Sequence, residues 1–596
     1  MKSKVSDYIF DYLVKNTQLD TVFMLPGGGC MHLVDSLGKT PGLRYICNLH
    51  EQASVIAAES YAQNRNALGV ALVTAGPGST NALTGVAGAW IDSTPLLVLS
   101  GQAKVEDMMT GKGIRQMGIQ EVDTESIVAP VTKYAKCVRD PAMIPYEMGK
   151  AVYLATHGRR GPVWLDIPLD VQGAEIDPDL LSGYVPPEEE EYDYSAAAKE
   201  ILNHLCKAKR PCIYAGNGIR AAGAVNDFLC LVVKLRIPVL TSWKAADFLP
   251  EDHPLFVGRP GIIAQRSGNF VQQTCDCILI MGTRLDLCQT GFNAAHFAPY
   301  AKRLMVDIDG NEIEKLQIPF AGKYVADAGK MIRAMLAEDP EELSCGEFLK
   351  KGKEWQKKYP VIPLEYLDEK KSLVNLYHLT KVFGDLLGEN DLLIPGSSGA
   401  CAEVTMQAIP VRKGIRIHNT PGLGSMGFGL PACIGGAAAS GKRTVCVIGD
   451  GGLQHNIQEL ETLHRLNWNI KIFVLNNNGY GSIYNMQKGR FAGHFVACHP
   501  ESGLTLPDLE KITHAYGLTF CRISKPADLE KQVWKILEMP GTVICEVMLD
   551  PNVPSAPRLA SEVLPNGKMV SKPMEDLAPF LPAEELEEIM KVADEH

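Results

Sequence analysis

The sequence has no run of about 18 apolar residues, so no membrane-spanning helix is expected. It has no basic stretch or stripe, and its formal net charge is −11. That balance argues against a nucleic-acid partner or an anionic membrane surface, both of which recruit clustered Lys and Arg. No two of its 16 cysteines form a CxxC pair, so a zinc ribbon or a dithiol redox motif is not expected. The cysteines, including the CDC of Cys275–Cys277, read as buried reduced thiols. The opening MKSKVSDYIFDYLV alternates charged and apolar residues and lacks the apolar core of a secretion signal, which points to a cytoplasmic protein. Short repeats and low-complexity tracts are missing as well.

What is present is the composition of a soluble globular protein, 46% hydrophobic and 21% charged, on a chain of 596 residues for which two to four domains are expected. The strand-like runs GVALVT, PLLVLSG, GPVWLDIP, CILIMG, RLMVDID, TVCVIGDG, KIFVLNN and TVICEVMLD are separated by helical patterns. Such alternation is the mark of parallel α/β sheets. A Pro- and Glu-rich segment, SGYVPPEEEEYDYS (182–195), and a charged, mostly helical connection (337–360) divide the chain. Three doubly wound α/β domains are expected, over 1–181, 196–337 and 361–555. A tail over 556–596 ends in an acidic helix around EELEEIMKVADE.

One stretch carries chemistry on its face: GDGGLQHNIQELETLHRL (449–466), entered from the strand TVCVI and followed by KIFVLNN and NNNGYG. In parallel sheets, ligands bind beyond the carboxyl ends of strands, where helix N-termini offer N–H groups to anions. Gly449, Gly451 and Gly452 let a phosphate approach, and Asp450 can place an oxygen on a hard cation. Asn477 lies 27 residues on, at the end of the next strand, so a βαβ crossover brings the two loops together. A carboxylate, an amide oxygen and a carbonyl near Gly479 suit octahedral Mg²⁺ that is also held by two phosphate oxygens.

GDG followed by NN at this interval resembles the cofactor motif of thiamine-diphosphate-dependent enzymes. By that resemblance Asp450, Asn477 and the Gly479 carbonyl bind Mg²⁺, while Gly449, Gly451, Gly452 and Ile483 contact thiamine diphosphate. The family needs a second element, a glutamate in an apolar pocket that hydrogen-bonds the aminopyrimidine N1′, so that the ring can take the thiazolium C2 proton. VFMLPGGGCMHL followed by YICNLHEQASVIAAESYAQ matches it with Glu51. Read alone, HEQ is a helix start with a favourable acid. A zinc-protease HExxH is excluded, because HEQAS has no second histidine.

TAGPGSTNALTGVAGAWIDSTPLLVLSGQ (74–102), GLGSMGFGLPACIG (422–435) and NIQELETL extend the resemblance to acetolactate synthases. By position, the Gly424 carbonyl accepts from the cofactor's 4′-amino group and Met426 wedges beneath the bent cofactor; core packing is the plainer reading of Met426. Gln120, in IQE, matches the glutamine of the synthases' FQE, or is a surface residue. GSSGACAE (396–403) departs from the pattern: Ser397 and Ser398 stand where typical synthases have a glutamine–histidine pair. Hydroxyls and backbone N–H groups can still hold phosphate there.

YAGNGI (214–219), VGRPG (257–261), IMGTRLD (280–286) and MVDIDG (305–310) resemble the central domain of that group, which often carries FAD without using it for redox chemistry. Asp307 or Asp309 would then bind a ribose hydroxyl, and Arg159, in GRRGP, would approach the flavin. An empty or ADP-filled pocket stays open as the alternative. Arg284-Leu285-Asp286-Leu287 stands for the synthases' RFDD-like segment and has one acid fewer.

The resemblance implies a carboligase: a 2-keto acid donor, most simply pyruvate, loses CO₂ as the thiazolium takes up electrons, and the acyl group passes to a carbonyl acceptor. Glu51 would activate the cofactor, and Gln120 or His32 would orient the substrate, His32 being otherwise a helix-start residue. GIRQMGIQEVDTESIV and GSSGACAE look more like synthase relatives of sugar and surface-polysaccharide pathways, whose acceptor would be a keto-sugar or another carbonyl compound. Glu403 and His455 are candidates for acceptor contacts. The alternatives are a decarboxylase or a benzaldehyde-lyase-like lyase, and a catalytically silent scaffold, which retention of Glu51, Asp450 and Asn477 disfavours. A dehydrogenase lacks its GxGxxG in GPGSTN, and SGKR (440–443) lacks the P-loop glycines. In the family the glutamate-bearing domain of one chain faces the metal-bearing domain of another, which implies a homodimer or homotetramer with a large apolar contact.

Overall fold

The computed structural model describes residues 2–339, 345–563 and 565–594, so part of the expected 337–360 connection and Glu595 of the expected final helix lie outside the described residues. Its frame is three six-stranded sheets, every pairing within them parallel. The first contains β1 (Thr21–Met24), β2 (Arg44–Cys47), β3 (Gly69–Val73), β4 (Leu96–Gln102), β5 (Tyr134–Cys137) and β6 (Pro162–Pro168), in the order β2-β1-β3-β4-β6-β5. The second contains β7 (Pro211–Ala215), β8 (Val239–Thr241), β9 (Phe256–Gly258), β10 (Cys277–Met281), β11 (Lys302–Asp307) and β12 (Gly322–Val325), ordered β9-β8-β7-β10-β11-β12. The third contains β13 (Asp391–Pro395), β14 (Arg416–Ile417), β15 (Arg443–Gly449), β16 (Ile470–Asn476), β17 (Thr519–Ile523) and β18 (Val543–Met548), ordered β14-β13-β15-β16-β18-β17. Helices cover both faces, which is why β4 and β6 are buried along their whole length.

Five helices place the site: α1 (Glu51–Arg65), α2 (Pro77–Ile91), α3 (Gly429–Ser440), α4 (Glu459–Leu466) and α5 (Gly481–Arg490). One apolar cluster runs from the first sheet into the third through α1 and α3. Ser60 Oγ donates to the Ala432 carbonyl at 2.7 Å. A Cβ at Gly435 would lie 1.9 Å from the Ala57 carbonyl oxygen, so this close approach needs glycine. The amphipathic pattern after the GDG turn is not one helix: Asp450–Leu453 is followed by a 3-10 turn and only then by α4. The break seats Asn456, whose Nδ2 donates to the Gly427 carbonyl at 2.8 Å. The tail returns over the middle sheet, where Arg266 donates to Leu577 O (3.0 Å) and Asn269 to Met574 O (2.7 Å), and its final helix spans Ala583–Lys591. No helix among the described residues is long and apolar enough to cross a membrane.

Candidate active site

Strands β15 and β16 pair with Gly449 opposite Leu475, so the turns that follow them lie side by side at one sheet edge. Asp450, 8% exposed, accepts from Gly451 N at 2.8 Å and from Gly479 N at 3.1 Å. Burial pushes its carboxyl up to about 6, against the pull of these N–H groups. Across the turn, Asn477 Oδ1 is buried with no hydrogen-bond partner. An unsatisfied buried acceptor costs about 1–3 kcal/mol, and a hard cation beside Asp450 would satisfy it. Among the described residues no cluster of three or more His, Cys, Asp or Glu could hold a metal by itself. One carboxylate with neutral oxygens instead suits Mg²⁺ arriving with phosphates.

The glycines of this turn separate by what surrounds them. A Cβ at Gly449 would meet nothing within 4 Å, and one at Gly452 would make ordinary contact with Ile448, which leaves room for a phosphate. A Cβ at Gly451 would strike the Tyr480 ring at 2.4 Å. Tyr480 therefore roofs the turn, a role the sequence reading missed although the residue stands in NNNGYG. The Met426 methyl reaches the same place, 3.8 Å from a Cβ at Gly451. Gly424, at φ +66°, lies against Ser397 O and Ser398, and Ser397 Oγ donates to the Ser425 carbonyl. Ser398 is exposed, as is Ile483 on α5. His455 is exposed and backs onto Gly427, while Glu403 accepts from Ser555 Oγ at 2.9 Å.

The N-terminal half is built separately. Glu51 is the first residue of α1, whose cap is His50 Nδ1 accepting from Gln52 N at 3.1 Å. The Glu51 carboxylate is 7% exposed and accepts from Asn81 Nδ2 of α2 at 3.0 Å. Asn81 is a second site residue the sequence reading missed; its only signal was its place in GPGSTN. Gly78, from the same turn, would put a Cβ 3.7 Å from Glu51 Oε1. The Gln120 carbonyl sits over Gly76, where a Cβ would be 2.1 Å away, and Gln120 itself takes φ +61° with an exposed side chain. The GPG turn thus brings Glu51 and Gln120 to one edge. His32 has its Nε2 3.1 Å from a Cβ at Gly173, packed against the end of the Leu169–Gly173 helix.

Three family profiles match the chain, described as the thiamine pyrophosphate enzyme N-terminal TPP binding domain (residues 3–127), central domain (198–335) and C-terminal TPP binding domain (397–547). The acetolactate synthase large subunit of Lactococcus lactis is 30% identical over 545 residues, covering 90% of this chain and 91% of that protein. Escherichia coli acetolactate synthase isozyme 1 large subunit is 32% identical (88% and 90% covered), and the isozyme 3 large subunit 33% identical (87% and 89%). The chain belongs to the thiamine pyrophosphate enzyme family. It is a thiamine-diphosphate-dependent enzyme of the acetolactate-synthase-like kind, and its first and third sheets are the TPP-binding domains.

In the family's central domain the expected dinucleotide contacts are engaged within the protein. Arg159 pairs with Asp309 at 2.7 Å and Glu312 at 2.6 Å, and donates to Ser93 Oγ at 3.1 Å, bridging the first and second sheets. Asp307 accepts from Asp309 N, and burial pushes its carboxyl up to about 6. The glycines of YAGNGI are required by the protein itself, since a Cβ at Gly216 would lie 2.3 Å from Gly282 O. Asn217 Oδ1 is left buried without a partner.

Proposed function

We propose that this chain is a Mg²⁺- and thiamine-diphosphate-dependent carboligase that decarboxylates a 2-keto acid, most simply pyruvate, and transfers the acyl group to a carbonyl acceptor. The observation that carries the reading is the Asp450–Asn477–Gly479 turn pair, with its orphaned Asn477 oxygen, in a chain of this family. When bound, thiamine diphosphate supplies the electron sink for the carbanion left by departing CO₂. Asp450, Asn477 Oδ1 and the Gly479 carbonyl hold Mg²⁺. Backbone N–H groups around Gly449 and Ser397–Ser398 hold the diphosphate. The Gly424 carbonyl accepts from the 4′-amino group, Met426 and Ile483 flank the heterocycles, and Glu51, steadied by Asn81, keeps a proton at the aminopyrimidine N1′. Gln120 orients the substrate.

The neighbours of Glu51 come from α2 and those of Asp450 from the third sheet, which supports completion of each site by a second copy in a homodimer or homotetramer. Small residues at Ser397, Ser398 and Gly399, with Glu403 and His455 nearby, support an acceptor such as a keto-sugar or another carbonyl compound. Incubation with pyruvate and a panel of aldehydes, ketones and keto-sugars, following CO₂ and ligated product by mass spectrometry, tests the reading. Acetolactate alone would assign the synthase reaction, and free aldehyde without ligation would replace carboligation by decarboxylation. We assign FAD no step. Arg159 holds Asp309 and Glu312 through Nη1 and Ser93 through Nε, and the visible spectrum of purified protein shows whether a flavin is bound beside them.

A further inference from the structure

Glu459, the first residue of α4, belongs to the TPP-binding domain that carries Asp450, yet its carboxylate serves the other one. It is fully buried, and its Oε2 accepts from Asn48 Nδ2 at 2.9 Å while Oε1 accepts from Leu49 N at 2.8 Å. Asn48 is also fully buried, and its own N–H donates to Met24 O of β1 at 2.9 Å. These residues form the turn between β2 and α1, immediately before His50 and Glu51. Further along α4, Arg465 donates to the Cys47 carbonyl. Three consecutive residues of the glutamate-bearing turn, Cys47, Asn48 and Leu49, are therefore held by the helix that follows the metal-binding turn.

A buried carboxylate is a costly way to join two domains. The α1–α3 contact already joins these two with glycine, alanine and serine. What the carboxylate adds is direction: two acceptors fix both an amide side chain and a backbone N–H, and so fix the path of the chain into Glu51. Burial pushes its carboxyl above the ordinary range, while Asn48, Leu49 N and Thr462 favour the charged form.

We propose that Glu459 is a positioning residue for cofactor activation, holding the turn from which Glu51 reaches the aminopyrimidine. The proposal rests on the thiamine reading of Glu51. Where each Glu51 completes a partner's site, Glu459 also ties the metal-binding segment of one site to the activating acid of the other.

The test is exchange of the thiazolium C2 proton for deuterium, read by NMR after acid quench of protein loaded with thiamine diphosphate and Mg²⁺. Cofactor affinity by tryptophan fluorescence and assembly by sedimentation are measured alongside. Glu459→Gln turns an amide N–H₂ toward Asn48 Nδ2 or Leu49 N and is expected to slow exchange about 10- to 100-fold, with affinity and assembly unchanged. In Asn48→Asp/Glu459→Gln the new amide donates to the new carboxylate and still accepts from Leu49 N, so exchange should return to within about threefold of wild type. Should Glu459→Gln not assemble, Asn48→Ala, which creates no donor–donor contact, is read in the same way. Wild-type exchange in the single variant, or a folded double variant as slow as the single, overturns the proposal. Glu51→Gln is the control: wild-type exchange there removes the thiamine reading itself, whereas lost exchange there beside normal exchange in Glu459→Gln removes only the clamp.

Discussion

The first and third sheets share one plan and present different chemistry at the same places. In each, the second strand lies at an edge, the first beside it, the third and fourth follow, and the last two are exchanged. The helices after the two second strands, α1 and α3, are the pair that pack on each other. After β2 the chain enters its helix through Glu51, whereas after β14 it enters through Gly424 and Met426. After β3 the turn is AGPG, without an acid, whereas after β15 it is GDGG with Asp450. The shared plan supplies strand ends and helix N-termini, and in the proposed function the side chains decide whether an edge takes a diphosphate and a cation or a heterocycle.

If the two edges are specialised in this way, disabling each should give a different phenotype. Asp450→Ala is expected to have the largest effect: loss of thiamine diphosphate on dialysis in Mg²⁺ buffer, with no measurable turnover. Retained cofactor would count against the metal assignment. Glu51→Gln should keep cofactor affinity and lower turnover by about 10²–10⁴-fold. A Glu51→Gln protein that instead lost its cofactor would make the two edges alike. The seam between them is probed by Gly435→Ala, because a Cβ there meets a backbone carbonyl that cannot rotate away. Thermal unfolding should show a loss of about 3 kcal/mol. Gly388→Ala, with nothing within 4 Å of the added carbon, should change stability by less than about 0.5 kcal/mol.

How much of this was legible follows from range. Strands buried on both faces, such as LLVLSGQ and TVCVI, announce themselves as apolar runs, and all eight runs named from the sequence are strands. Arg44–Cys47, Tyr134–Cys137 and Thr519–Ile523 are short and partly exposed and give no such signal. The repeated strand order is invisible in the residues, because only the order recurs. GDG with NN was readable since a single crossover spans it. The contact of Glu459 with Asn48 joins residues 411 apart, and that of Arg159 with Asp309 joins residues 150 apart. No local pattern encodes either. The carboxylate partners of Arg159 appear only once the domains are packed.

A second acid distinguishes α1 from α3, and its expected effect is a dependence on pH. Glu59 is buried, with Thr94 Oγ1 3.5 Å from its carboxylate, near the ion pair of Lys244 with Asp92 (3.0 Å). Burial, then the neighbouring Asp92, pushes its carboxyl up to about 8, with Lys244 opposing. The folded chain therefore holds this proton more tightly than the unfolded chain. The associated stability is complete below the unfolded value of 4.5 and is lost as pH rises through about 8. The slope is at most about 1.4 kcal/mol per pH unit for one proton. Glu59→Gln keeps a neutral, hydrogen-bonding side chain and has no proton to lose. Its stability relative to wild type should thus rise between about pH 4.5 and 8 and level off above, by denaturant unfolding at each pH. The corresponding helix α3 contains no Asp, Glu, His, Lys or Arg, so it has no carboxyl whose removal could reproduce that slope. Parallel pH curves for wild type and Glu59→Gln would mean that the acid is ionised in the folded chain, held by Lys244, and that the seam is charged on its N-terminal side.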